Sequence, residues 1–338
     1  MNELLAEQVD RLITVEMRLP GFIRGIIPAL YERARKKFFK PLTLLAAESL
    51  LHRINPGDTV FIATGAGGPP WLPNGETDGP LGAAALARSL DLAFGATAVY
   101  VTEDWGAKPM FAVSQAAGLT VMDYDSAKGR PHAAAMVCYP QDENRAEMMA
   151  AELLDRCCPS CIFAVEKMGP NEKGVIHSAL GRDFTKPHAR VDLLFKEAKA
   201  RGILTIGIGD SGNEIGFGTI AEDVKQVHPY GGKCQCPCGA GIADSTVTDI
   251  LIVANISNWG AYGVCALLSA LLERPEVLHN AQIERRMIEE CVRAGAFDGV
   301  LSWQVMSVDG LPIEIHEAIV SMLGCMVSNE LRTLKRDF

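Results

Sequence analysis

Carboxylates set among glycines recur at several points of this sequence. Gly75-Glu76-Thr77-Asp78-Gly79-Pro80 stands just before a helix that begins near Leu81. Gly207-Ile208-Gly209-Asp210-Ser211-Gly212-Asn213-Glu214-Ile215-Gly216 runs out of an apolar stretch in the same way. Glycine lets a chain turn tightly enough for neighbouring oxygen ligands to converge. A plainer reading of Glu76 and Asp78 is capping and dipole compensation at a helix N-terminus. The second run reads equally as a polar turn. Glu166 ends the apolar run Ile162–Val165, where an ionised carboxylate is costly unless paired, hydrogen-bonded or metal-bound. Lys167 and Arg182 are its candidate partners, and Glu103, Asp104 and Asp183 are further acids to weigh. Carboxylates gathered in one place repel, and the usual remedies are raised pKa values or a hard divalent cation. Mg²⁺ or Mn²⁺ is therefore expected at Glu76, Asp78, Glu166, Asp210 and Glu214. Glu166 or Glu214, then Asp183, are the candidates for moving a proton.

Other residues suit binding. The loop Thr64-Gly65-Ala66-Gly67-Gly68-Pro69-Pro70 comes directly after a strand, so the N–H groups of Gly65, Gly67 and Gly68 are candidates to hold an anion. Its spacing matches neither the dinucleotide fingerprint nor the Walker loop, and the paired prolines argue for a rigid wall. Asn213, Asn258 and Trp259 lie beside strand ends, where amide and aromatic groups suit recognition of an amino acid backbone. Cys234, Cys236 and Cys238 invite a zinc reading with His228 nearby. Their spacing departs from the usual pair separated by two residues, and no second pair comes after them, so plain thiols are favoured. Cys157, Cys158 and Cys161 read as core or surface thiols.

These residues need a scaffold, and the chain alternates short β-branched runs with longer stretches of helical period. That alternation implies an α/β fold of three layers, a mainly parallel sheet with helices on both faces, Rossmann-like. The expected strands are Thr59–Thr64, Thr97–Thr102, Leu119–Asp123, Ile162–Glu166, Ile203–Ile208 and Ile250–Ala254. Parallel sheets gather ligands at the carboxyl ends of their strands, so Glu76, Asp78, Glu103, Glu166, Asp210 and Glu214 should share one edge. With 338 residues, 48% hydrophobic and 22% charged, one domain over 1–338 is expected. Residues 1–55 read as an N-terminal helical extension and 281–338 as closing helices, with helices over Gln282–Arg293 and Pro312–Arg336. The irregular stretch Gly295–Leu311 between those two helices reads as a loop over the site.

The net charge of −9 argues against a nucleic-acid partner. The richest basic run, Arg33 to Lys40, reads as the solvated side of a helix. No stretch reaches the roughly 20 apolar residues needed to span a bilayer, and the first residues carry no signal-peptide pattern, so the cytoplasm is expected. Ten cysteines, with Cys138, Cys265 and Cys325 inside apolar runs, suggest reduced core thiols. A homo-oligomer is left open.

Gly75–Gly82, Gly207–Gly216 and Ser257-Asn258-Trp259-Gly260-Ala261-Tyr262, with the weaker Val308-Asp309-Gly310-Leu311-Pro312, together resemble the D-glutamate cyclase domain family over roughly residues 40–335. Ser211 departs from the glycine expected there, and the cysteine-rich stretch 234–238 is foreign to the pattern. The resemblance implies a lyase that converts D-glutamate to 5-oxo-D-proline and water. It would hold the substrate's γ-carboxylate on the metal and its α-carboxylate on the Gly65–Gly68 loop. A Mg- or Mn-dependent phosphatase and a non-catalytic small-molecule binding module are the rival readings.

Overall fold

Most of the strand residues are apolar, many of them β-branched, on both faces, which is how a strand buried from two sides reads. A computed structural model describes residues 3–333. Its main sheet holds β1 (Thr59–Thr64), β2 (Thr97–Thr102), β3 (Thr120–Met122), β4 (Ala133–Cys138), β5 (Cys161–Val165), β6 (Leu204–Gly209) and β7 (Ile250–Val253). All pairings are parallel, in the order β3-β4-β2-β1-β5-β6-β7. A short antiparallel pair, β8 (Ser307–Val308) and β9 (Leu311–Pro312), lies apart from it.

The helices are α1 (Glu3–Ile13), α2 (Ile27–Phe38), α3 (Leu42–Arg53), α4 (Pro80–Phe94), α5 (Asp104–Ala116), α6 (Tyr124–Ala127), α7 (Glu143–Cys157), α8 (Val191–Ala200), α9 (Ala221–Val227), α10 (Ser257–Leu271), α11 (Ala281–Arg293) and α12 (Ile313–Glu330). Successive residues of β1 point to opposite faces. Val60 and Ile62 join the larger core, with α1 to α5 and α10 to α12, while Phe61 and Ala63 join a smaller one under α7 and α8. The three-layer, Rossmann-like expectation therefore holds. The chain-terminal helices share the larger core with α4 and α10.

Two local expectations need correcting. β4, Ala-Ala-Ala-Met-Val-Cys, is absent from the expected strands, because alanine carries little strand preference and β4 forms only through pairing with β2 and β3. Of the three cysteines assigned to the core, Cys265 is buried but Cys138 and Cys325 are exposed. The last helix ends at Glu330, and positions 334–336 of its expected span lie outside the described residues. No helix among the described residues is long and apolar enough to cross a membrane.

Registration sets the site. Thr64 pairs with Val165, and Val165 pairs with Ile208. The segments that continue from β1, β5 and β6 therefore leave the sheet at one level. The chain winds outward in one direction from β1 and in the other from β5, so a crevice opens between their ends.

Candidate functional site

Glu166 is the first residue past β5, and its φ of 46° lies in the left-handed region that a non-glycine residue seldom adopts. Its backbone N–H donates to the Ile208 carbonyl (3.1 Å), which fixes that turn, and its Oε2 accepts the Ser257 hydroxyl (2.5 Å). Asp210, one residue past β6, accepts the Ser211 hydroxyl on Oδ1 (2.6 Å) and the Arg18 guanidinium on Oδ2 (2.9 Å). Asp78 stands ahead of α4. One oxygen each of Asp78, Glu166 and Asp210 lies within 4.8 Å of the others, and all three residues are buried. Gly79 makes the approach possible. A Cβ there would stand 2.7 Å from Thr64 Oγ1 and 3.0 Å from Glu166 Cβ, at a φ of 100°.

Asp78 is held from across the chain. Its carboxylate accepts the backbone N–H groups of Ser257 (2.9 Å), Asn258 (2.9 Å) and Gly79 (3.0 Å), so it caps α10. Asn258 returns the arrangement. Its Oδ1 accepts the N–H groups of Gly79 (2.9 Å) and Gly82 (2.7 Å), capping α4, while its Nδ2 donates to Thr77 O (3.2 Å). Capping was thus a sound expectation for Asp78, but the helix it caps is α10.

Above the triad is a cavity of about 190 Å³. Glu76, Glu166, Asp210 and Asp309 give it an acidic floor, and Trp71, stacked on Phe184 at 5.3 Å, forms part of an apolar wall. The stretch Gly295–Leu311 does reach the site, since Gly299, Val300, Ser302 and Asp309 line the cavity. Buried Asp298 shapes that stretch by accepting the N–H groups of Val300, Leu301 and Gly310 and the Ser307 hydroxyl. Burial, then the neighbouring acids, pushes the carboxyls of Glu76, Glu166 and Asp309 well above the usual range. The same causes raise Asp78 to about 7, against the pull of its three N–H donors. The buried cation facing these acids is Arg18, whose guanidinium also donates to the Asp210 carbonyl (3.0 Å). Acids so crowded and so weakly neutralised fit a hard divalent ion held by oxygen donors.

Several expected site residues are placed otherwise. Glu214 takes the N–H groups of Asp210 (3.2 Å) and Ser211 (2.8 Å) on Oε1 and of Gly212 (2.7 Å) on Oε2, so it braces its own turn and is outside the triad. Burial, then Asp210, raises it to about 8. Glu103 does stand at the shared edge, one residue past β2, but it pairs with fully buried Lys167, accepts Ala189 N–H (2.7 Å) and is outside the triad. Lys167 is therefore no partner for Glu166. Asp183 is exposed, accepts Thr185 N–H (2.9 Å) and does not line the cavity. Trp259 is fully buried and donates to His316 Nδ1 (3.1 Å), and Asn258 is occupied by capping, so neither lines the cavity. Asn213 does line it, with Nδ2 on the His177 carbonyl (2.8 Å) and a buried Oδ1 that has no partner. In the glycine loop, Gly67 lines the cavity, whereas the Gly68 N–H is taken by Leu72 O (3.0 Å) and Gly65 packs on Thr102 and Trp105.

Arg18 and Asp309 join the site without having been expected there. Arg18 sits in the link between α1 and α2, with no local pattern to mark it. Asp309 had a signal, the Asp-Gly turn of its motif, and its φ of 51° confirms a turn geometry.

Comparison with known proteins bears on the family of the chain. The family described as D-glutamate cyclase-like, C-terminal matches residues 26–324. A human protein named D-glutamate cyclase, mitochondrial is 28% identical over 174 residues, which is 51% of this chain and 25% of that protein. The match thus spans about a quarter of the curated relative's length.

Proposed function

The chain belongs to the D-glutamate cyclase-like C-terminal family, and from that premise we propose that it closes D-glutamate to 5-oxo-D-proline with release of water. The observation that carries this reading is the convergence of Asp78, Glu166 and Asp210 beneath a small cavity with a cationic group at its rim. Mg²⁺ or Mn²⁺ would be held by those three carboxylates, with Glu76 and Asp309 close by. Bound there, the ion would polarise the substrate's γ-carboxylate, which is otherwise a poor electrophile.

The protein's own groups do the rest. Arg182, exposed at the cavity rim, is the partner for the α-carboxylate, in place of the already bonded Gly68 N–H. The unpartnered Oδ1 of Asn213 accepts from the substrate ammonium. A substrate folded between these two groups brings its nitrogen to its own γ-carbon, and ring closure then needs no second molecule. The C–N bond forms as a C–O bond breaks, and the two protons lost by nitrogen leave with that oxygen as water. One group that first accepts and then donates a proton suffices. Glu166, which lines the cavity, fills that role.

The test is incubation of the full chain with D-glutamate and Mg²⁺ or Mn²⁺, then chromatography for 5-oxoproline and chiral analysis. Product formation that stops on chelation and returns with either ion is expected. Absence of product with both ions, while a phosphorylated metabolite is hydrolysed, would replace the cyclase with a phosphatase. An unchanged ligand bound tightly with nothing consumed would leave a binding module.

A further inference from the structure

We propose that Cys234, Cys236, Cys238 and His177 form a structural zinc site that fastens the cysteine loop to the loop carrying Ser178, Leu180 and Arg182 of the cavity wall, whatever reaction the cavity performs. The three cysteines alternate with single residues, so an extended chain would set all three sulfurs on one side but spread them along its length. Here the chain is bent. Cys234 Sγ lies 3.5 Å from Cys236 Sγ and 3.3 Å from Cys238 Sγ. His177, on the loop after β5, completes the group, with Nε2 at 3.2 Å from Cys236 Sγ and 3.5 Å from Cys238 Sγ. All four donor atoms lie within 4.8 Å of one another.

A tetrahedral zinc with Zn–S of about 2.3 Å and Zn–N of about 2.0 Å sets its donors about 3.5–3.8 Å apart. The four spacings above, 3.2–3.5 Å, lie at or just below that range, so an ion needs only a small outward adjustment. Three sulfurs and one imidazole select zinc over Mg²⁺ or Mn²⁺, which take oxygen. Binding displaces three thiol protons to solvent, and the resulting negative charge has company. Asn171 Nδ2 points to Cys238 Sγ (3.5 Å), and Lys173 Nζ donates to the Cys238 carbonyl (2.7 Å).

The loop is shaped for this. A Cβ on Gly241 would meet the Gly231 carbonyl oxygen at 1.9 Å, so the two arms of the cysteine loop cross at backbone distance. Four protein donors leave no open position, which marks a structural site. Its location gives it a task. Gln235 N–H donates to Gly181 O (2.8 Å) and Asn171 Nδ2 to Gly241 O (2.7 Å), joining the cysteine loop to the 170–183 loop. That second loop supplies Ser178, Leu180 and Arg182 to the cavity, and the His177 carbonyl holds Asn213.

The experiment is elemental analysis of the full chain, purified under reducing conditions without a metal-affinity step. About one zinc per chain is expected. Cys236→Ser, Cys238→Ser and His177→Ala should each lower retained zinc about tenfold or more, whereas Cys325→Ser, an exposed cysteine on α12, and Asp210→Asn should keep it. Should those variants fail to fold, cobalt loading of the unaltered chain answers the same question. The intense visible absorption of tetrahedral thiolate-bound Co²⁺ supports the site, and only the weak spectrum of an oxygen-bound ion overturns it. Zinc that leaves with Asp210→Asn but stays in the cysteine variants also overturns it, as does a disulfide within the trio in reduced protein.

Discussion

The acidic cluster lines the cavity and the thiol cluster stands behind one of its walls, and the two are assembled by opposite means. Glu166 and Asp210 leave adjacent strands one residue past their ends, and Asp78 is pinned by the start of α10. Sheet register brings these acids together without a shared motif. Three of the four soft donors come from one five-residue stretch, and loop folding supplies the fourth. Oxygen donors on rigid elements suit chemistry that needs fixed geometry, and sulfur donors on loops suit fastening.

The sharpest way to break that division is to remove one donor from each cluster. Glu166→Gln should lower turnover by about 10²-fold or more with an unchanged circular dichroism spectrum. Cys238→Ser should act mainly on thermal stability and KM. If Cys238→Ser cut kcat as deeply as Glu166→Gln while leaving the melting temperature alone, the two clusters would not differ in role.

Next in size is the link that holds the acidic side rigid. Asn258 is fully buried and makes three hydrogen bonds at the start of α4. Asn258→Ala should cost about 2 kcal/mol of unfolding free energy, read from urea titration, because it removes a cap and strands buried partners. A cost below about 0.5 kcal/mol would mean the cap is replaced by other contacts.

A smaller effect separates the clusters by pH. Asp78 at about 7 and Glu214 at about 8 stand above their ordinary 3.8 and 4.5, through burial first and Asp210 second. In that window the folded chain keeps protons that the unfolded chain has released. Their contribution to stability is therefore complete below the ordinary values and is lost as pH rises through the folded ones. Metal-free protein should melt progressively lower from about pH 5 to about pH 8 on this account, and Mn²⁺ should raise the melting temperature more near pH 8 than near pH 6. A metal-induced rise that shrinks with pH would contradict carboxylate binding. Smallest of all, Asp183→Asn should alter stability by less than about 0.5 kcal/mol and leave turnover nearly untouched, which activity assay and thermal melting together check.

Much of the acidic side was legible because periodicity locates strands and parallel sheets gather ligands at one end. The expected bounds of β1 and β2 match the observed ones, and the crevice lies where the carboxylates were expected to meet. What escaped depends on tertiary contact. Position beside a strand end did not reveal that Asn258 and Trp259 point into the core, or that Lys167 turns to Glu103. Nor does a cysteine loop announce a histidine 57 residues earlier than its first cysteine; His228, nearer in sequence, instead accepts Tyr230 N–H on Nδ1.

The mutual capping of α4 and α10 ties this chemistry to completion of the chain. Residue 78 is made early and its anchor 179 positions later. A ribosome-bound chain stopped after β6 would contain Glu76, Glu166 and Asp210 but nothing to clamp Asp78 beside them. Ion binding should therefore report on finished molecules, and a fragment lacking the final third should draw no ion into this crevice.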